Sequence, residues 1–223
     1  MKFEHVKLDL LPLEREMIDG VRYYKVPDED DLLRLVSITS VTSFYNRLIF
    51  ENWRRRVGNA EADRITKAAT TRGTDMHTLV EHYISNEDLP KDTTEIATNL
   101  FNIIKPALDR IGKIYGIEIG LYSKYLGIAG TADTIAEFDG EISIIDYKSS
   151  KKPKPREWIE NYFVQATAYA CMLYELTGIQ AKKLVIIMAC ENGELVVYEE
   201  RDLAKYIKLL VRYIKHFVKE NTK

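Results

Sequence analysis

The sequence predicts an α/β protein, a mixed β-sheet flanked by helices, and three observations carry that prediction. Asp139-Gly140 separates two β-rich runs, Gly130 to Phe138 and Glu141 to Lys148, and Asp-Gly between such runs is the strongest short hairpin signal. Apolar residues recur at helical spacing between Ser40 and residue 115 and again from Glu157 to Leu176. A second strand pair, Lys182 to Cys190 and Glu194 to Glu199, surrounds Asn192-Gly193. Helix, three strands, helix, strand pair, helix is the order of a sheet with helices laid on its faces.

Taken in order, residues 1–36 read as an irregular and short-strand segment, with a small hairpin at Asp19-Gly20 between Met17-Ile18 and Val21 to Val26. Residues 37–223 read as a single domain, helical over 37–115 and carrying the sheet and its helices over 116–223. Ser40 to Val57 is expected to be one helix, with Phe44, Leu48 and Trp53 on one side and Gly58-Asn59 as its stop. A short helix from Ala60 to Ala69 follows. Thr71 then caps a helix from Arg72 to Ile84, whose Met76, Leu79, Val80 and Tyr83 form an apolar stripe. Residues 92–115 read as a further helix, and Gly116 to Tyr125 as the first of three successive strands. Pro153 and Pro155 break the chain before the helix from Glu157, which ends at Thr177-Gly178. Leu203 to Val218 is a terminal helix. There is no internal repeat and no low-complexity linker.

Composition narrows the function classes. A chain of 223 residues with 46% hydrophobic content supports one sizeable core. No apolar run approaches the ~18 residues of a membrane span, and Met1 to His5 does not open a secretory signal, so a cytoplasmic compartment is expected. Cys171 and Cys190 are the two cysteines, too few for a disulfide framework or a cysteine-bound metal cluster, and both are expected to be core thiols. With 34 acidic and 32 basic residues the net charge is −2, which argues against coating nucleic acid by bulk electrostatics. Local basic clusters remain: Arg54, Arg55 and Arg56, most simply a solvated face, and Lys148, Lys151, Lys152, Lys154 and Arg156 around the stiffening Pro153 and Pro155.

The hairpin itself carries the chemistry. If Asp139-Gly140 is a two-residue loop, Phe138 faces Glu141, and equal steps outward put Asp133 opposite Asp146. Their side-chain roots would then stand about 5 Å apart, and like charges so placed destabilise a sheet. A shared divalent cation is the simplest remedy. Period-two alternation puts Lys148 on the face of Asp146 and turns Tyr147 away. The plainer reading is a surface hairpin with Lys148 pairing an aspartate. Ile144 and Ile145 favour the metal reading, because they lead into Asp146 as a core strand would.

Four motifs in order, Gly73-Thr74-x-x-His77, Gly130-Thr131-x-Asp133, Asp146-x-Lys148 and Gln165-x-x-x-Tyr169, together resemble the signature of RecB-type members of the PD-(D/E)XK nuclease superfamily. Within it the chain looks most like phage-type exonucleases and the mitochondrial genome maintenance exonuclease family. Ser40-Val41-Thr42, Arg72 and Lys152 to Pro155 add to the likeness, which covers about Ser40 to Tyr174. It implies the nuclease fold with a helical N-terminal elaboration. Asp133, Asp146 and the Tyr147 carbonyl would hold Mg²⁺ or Mn²⁺, in two ions, with His77 as a further ligand favouring manganese and Glu118 as an additional carboxylate. Glu81, one turn beyond His77, would orient its ring. Lys148 would orient the attacking water, and Gln165 and Tyr169 would stand beside the site. Arg72, Thr74, Thr131, Ser149, Lys151, Lys152 and Lys154 would contact nucleic acid. An iron–sulfur cluster, present in some relatives, is excluded by the cysteine count.

The implied activity is hydrolysis of DNA phosphodiesters from a single-stranded end in replication, recombination or repair, with a replication or recombination protein as partner. Tyr122 and Tyr125 are candidate base-stacking residues. An endonuclease of the same fold and a non-catalytic nucleic-acid-binding accessory module stay open as alternatives. A lone histidine such as His77 is more often a core residue than a ligand, and Glu118 is equally an ordinary strand glutamate.

Overall fold

The computed structural model describes residues 2–28 and 31–221. The chain opens with β1 (Glu14–Ile18) and β2 (Val21–Pro27), paired so that Ile18 faces Val21. Asp19 and Gly20 both take positive φ, 50° and 78°, the mirror-image turn whose twist suits a two-residue hairpin. The same device recurs at Asp139 and Gly140, φ 51° and 79°. There it joins β5 (Ile128–Phe138) to β6 (Glu141–Ser150) with Phe138 opposite Glu141, as the sequence predicts.

All strands belong to one mixed eight-stranded sheet. Its path runs β1, β2, β3 (Leu32–Ser37), β5, β6, β7 (Lys183–Cys190) and β8 (Leu195–Glu200), with β4 (Ile111–Ser123) antiparallel along the other edge of β5. β7 is buried along its full length, the continuous apolar reading expected of a strand covered on both faces. On one face lie α1 (Ile38–Tyr45), α5 (Glu160–Thr177) and α6 (Leu203–Asn221), sharing a core with Ile144 and Ile186. On the other lie α3 (Asn59–Ile84) and α4 (Glu95–Leu108), packed on Ile145, Tyr147 and Val185. The mixed sheet with helices on both faces is the predicted fold class. Among the described residues no helix is long and apolar enough to cross a membrane.

The helical half departs from expectation in three places. The helix expected over Ser40 to Val57 breaks at Asn46 into α1 and α2 (Arg47–Val57). Phe44 and Tyr45 are drawn onto α6, Tyr45 stacking on Tyr213 with ring centroids 3.6 Å apart, whereas α2 buries none of its residues and Leu48 stays exposed. The two helices expected over Ala60 to Ile84 are one, 26 residues long, so Thr71 is interior and caps nothing. The helix expected over 92–115 ends at Leu108, with Pro106 in its last turn. Ile111 and Ile114, three apart and both buried, read as helical in the sequence. They reach the same core from β4 because register shifts between Ile111 and Gly116 re-phase the strand.

One edge of β5 has two partners. β6 holds it from Thr134 to Phe138, and β3 holds it in parallel at Ile128 and Ala129. Gly130 to Asp133 lie between the two, in a fork of the sheet. Tyr169 from α5 closes on this stretch so tightly that a Cβ on Gly130 would stand 2.7 Å from its ring and 3.0 Å from Ile38. Replacing Gly130 with alanine is therefore expected to destabilise the fold by about 1–3 kcal/mol. Urea denaturation checks this, an unchanged midpoint being the contrary result.

Candidate active site

Side chains from four elements converge at the fork. Past Thr134 and Ile145 the β5–β6 ladder stops, and the next step of the register is Asp133 opposite Asp146, as expected from the sequence. The strands no longer bond there. Asp133 Oδ2 instead accepts the Tyr147 backbone N–H at 2.9 Å, so a carboxylate stands where a strand carbonyl would. On the other edge of β5, the pairs Ile117 with Thr134 and Ile119 with Ala132 bracket Glu118 opposite Asp133. Glu118, Asp133 and Asp146 thus form a row of carboxylates across three strands. Glu118 has φ 46°, a left-handed conformation that costs a non-glycine residue about 1–3 kcal/mol and gathers at functional sites.

His77 comes in from α3. Its Nε2–H donates to the Tyr147 carbonyl at 2.9 Å, and the other nitrogen, Nδ1, lies 3.7 Å from Asp133 and 4.0 Å from Glu118. Ligand atoms of His77, Glu118 and Asp133 all lie within 4.8 Å of one another. The carbonyl does the orienting that the sequence assigns to Glu81; Glu81 lines the mouth instead, a cleft of about 470 Å³ bordered also by Thr74 and by Arg15 of β1.

Lys148 lies on the face of Asp146, its Nζ 2.5 Å from Asp146 Oδ2. That oxygen is buried and has no aligned hydrogen bond. One imidazole and two carboxylates whose ligand atoms lie within 4.8 Å of one another, with the Asp146 carboxylate beside them, are a donor set that suits Mn²⁺ or Mg²⁺. Lys148 also sits 5.0 Å from the centre of the Tyr162 ring, and Lys154 donates to the Tyr162 hydroxyl at 2.9 Å.

The remaining predicted residues fall into two groups. Gln165 Nε2 donates to the Tyr169 hydroxyl at 3.1 Å, and Tyr169, buried against Gly130, supports the stretch carrying Asp133. Thr131 bonds the Tyr24 hydroxyl at 3.1 Å. Ser149 lies beside Gly73 of α3. Lys151 and Lys152 are exposed on the loop after β6. Arg72 is turned inward, only 13% exposed and paired with Glu191 at 2.6 Å, so it ties α3 to the β7–β8 turn. Tyr125 is exposed in the β4–β5 turn and Tyr122 joins a small cluster with Tyr24 and Leu35. That turn is roughly 20 Å from Asp133 along β5. The aromatic residues actually beside the lysines are Tyr162 and Trp158. Sequence reasoning missed both; their spacing, three and seven residues before Gln165, is the signal that would have found them.

Charge coupling is strong at this centre. Burial alone would lower the His77 pKa, but Asp133 and Glu118 outweigh it and raise it to about 8. Burial raises Asp146 to about 6 against the pull of Lys148. Lys148 itself is held above its ordinary value, because Asp146 and Asp133 overcome the cost of burying the ammonium. Tyr147 and Tyr169 are raised by burial and stay neutral.

The profile of the PD-(D/E)XK nuclease superfamily matches residues 94–220. The chain belongs to that superfamily. Its members use divalent metal ions. Among curated relatives, human Mitochondrial genome maintenance exonuclease 1 is 22% identical over 182 residues, 76% of this chain and 52% of the relative. The Xenopus tropicalis protein of that name is 25% identical over 173 residues, 71% of this chain and 49% of the relative. The chain spans about half the length of these relatives. A solved structure of a candidate exonuclease from Eubacterium rectale overlaps 87% of this chain and 68% of its own, at 12% identity and a TM-score of 0.43. His77 and the first three strands lie outside the matched 94–220 span of this PD-(D/E)XK protein.

A raised histidine pKa has a sign. In the metal-free protein the His77 proton contributes stability that is fully present below pH 6.5 and lost as pH rises through about 8. Denaturation midpoints should fall across that window, and His77→Ala should remove that part of the fall. An identical pH profile in the variant would mean that His77 does not carry the proton.

Proposed function

We propose that this PD-(D/E)XK protein is a Mg²⁺- or Mn²⁺-dependent deoxyribonuclease that degrades single-stranded DNA from an end, in replication, recombination or repair. The observation that supports this best is the His77, Glu118 and Asp133 cluster with the Asp146–Lys148 pair directly beside it. The names of the relatives favour exonucleolytic action, and the intact Asp133, Asp146 and Lys148 set speaks against a non-catalytic module.

His77 Nδ1, Glu118, Asp133, Asp146 and the Tyr147 carbonyl would hold the ions. When bound, the ions supply Lewis-acid stabilisation of the negative charge on a scissile phosphodiester. Lys148 remains protonated, because Asp146 and Asp133 favour its charge. It would orient a water towards the phosphorus and favour its hydroxide form by its positive charge, the water's proton passing to solvent and the P–O bond to the leaving strand oxygen breaking as the new P–O bond forms. The Tyr162 ring limits where the ammonium can go. Tyr169 and Gln165 keep Asp133 in place from below. Lys151 and Lys152 offer charge to the strand backbone.

Protons and metal compete for the same atoms. His77, with a pKa of about 8, and Asp146, of about 6, must both give up protons, so Mn²⁺ affinity is expected to rise steadily from pH 6 to above 8. Calorimetry at several pH values tests this; a flat profile would remove His77 from the ligand set.

End-labelled linear and circular single strands should be digested with Mg²⁺ or Mn²⁺ and with chelator. The expected result is loss of the linear strand alone, abolished by chelator. Equal cutting of the circle would make the protein an endonuclease. Lys148→Ala should lower kcat by roughly 10²–10³-fold while leaving oligonucleotide affinity nearly unchanged. Full activity in that variant would refute the site assignment.

A further inference from the structure

A groove lies between the segment leading into α5 and the exposed helix α2. Its walls are Trp158, in the 3-10 turn Arg156–Ile159 before α5, and Ile49 of α2, with Tyr45 and Tyr213 between them. Trp158 is 71% exposed and Ile49 72%, an unusual arrangement for two large apolar side chains facing one cleft of about 610 Å³. The Tyr45–Tyr213 stack, 11° from parallel, makes one wall rigid. Core packing does not account for the opposite wall, since α2 buries no residue.

The groove and the candidate active site share a neighbour, the Tyr162 ring. Lys154 lines the groove and donates to the Tyr162 hydroxyl, and Lys148 lies 5.0 Å from the centre of the same ring. A strand whose phosphate lay beside Lys148 would meet Lys154 next and the flat face of Trp158 beyond it. Glu157 and Glu160, which also line it, disfavour a phosphate inside the groove itself. They leave the apolar interior to a base and the Lys154 side to the backbone.

We propose that this groove is a base-binding subsite for single-stranded nucleic acid, with Trp158 as its stacking platform, an inference that rests on the nuclease reading above. Stacking on an exposed aromatic is sequence-tolerant because every base has a π-face. The subsite therefore gives the enzyme a grip on unpaired strands, whose bases are free to turn into it, and none on a duplex.

Two measurements on the full chain test it. With a short linear oligodeoxynucleotide as substrate, Trp158→Ala should raise KM roughly tenfold and change kcat far less, and Trp158→Phe should restore most of the loss. A single abasic position walked along the oligonucleotide should weaken the wild type at one location and leave the alanine variant indifferent. Unchanged KM and the same response to abasic sites would overturn the subsite, while leaving the nuclease reading intact. The second measurement needs no hydrolysis. Trp53→Phe leaves Trp158 as the sole tryptophan of the two, and adding the oligonucleotide under chelator should quench its fluorescence. Quenching without any cleavage of DNA by the wild type would support the subsite and sink the nuclease reading. Binding seen by anisotropy without quenching, or no binding at all, would overturn the subsite, and would leave the groove to a protein partner.

Discussion

Thr134 is the last residue at which β5 and β6 hold one another, and the acidic centre is built from what happens one residue later. A continuous antiparallel ladder would satisfy the Tyr147 N–H with a carbonyl of β5. Here Asp133 satisfies it with a side chain, which frees the strands to part without orphaning the Tyr147 N–H. The fork is held open from both sides. β3 takes over the β5 edge at Ile128 and Ala129, and Tyr169 presses on Gly130 from beneath. Only glycine admits that approach, so the motif residue three before Asp133 is a packing requirement of the fork.

The electrostatics follow from the same geometry. Three carboxylates in register across β4, β5 and β6 would repel one another, and the left-handed Glu118 adds backbone strain to that cost. Within the protein, His77 and Lys148 offset it from opposite sides. His77 is raised to about 8 and Asp146 to about 6, so near neutral pH the centre is a set of groups part-way through titration. That is the state expected of a donor set whose full complement of charge is a cation short.

Much of this was legible in the residues alone. Asp139-Gly140 set the hairpin register correctly because a two-residue mirror-image turn leaves no freedom in the count, and alternation along β6 then separated Lys148 from Tyr147. The helical half was harder to read. α3 runs on through Thr71 and Gly73 with Ser149 of β6 beside it, and the chain breaks at Asn46 next to the Tyr45–Tyr213 stack, long-range neighbours that local periodicity does not report. Ile111 and Ile114 misled because a bulged strand can reproduce helical spacing. Arg72 was read as a nucleic-acid contact from its place in a motif, yet its partner, Glu191, is set by the fold and is far away in sequence.

The first strands show how far the site extends beyond the family's matched span. β3 closes the fork, Tyr24 of β2 bonds Thr131 two residues before Asp133, and Arg15 of β1 stands at the mouth. These contacts make the N-terminal hairpin one wall of the cleft. Arg15 faces the opening beside an acidic row and has no ion pair among the described residues, so its charge is available to whatever anion approaches the carboxylates. A cation at the mouth and a lysine within, on either side of the His77, Glu118 and Asp133 cluster, concentrate positive charge locally, even though the chain as a whole is nearly neutral.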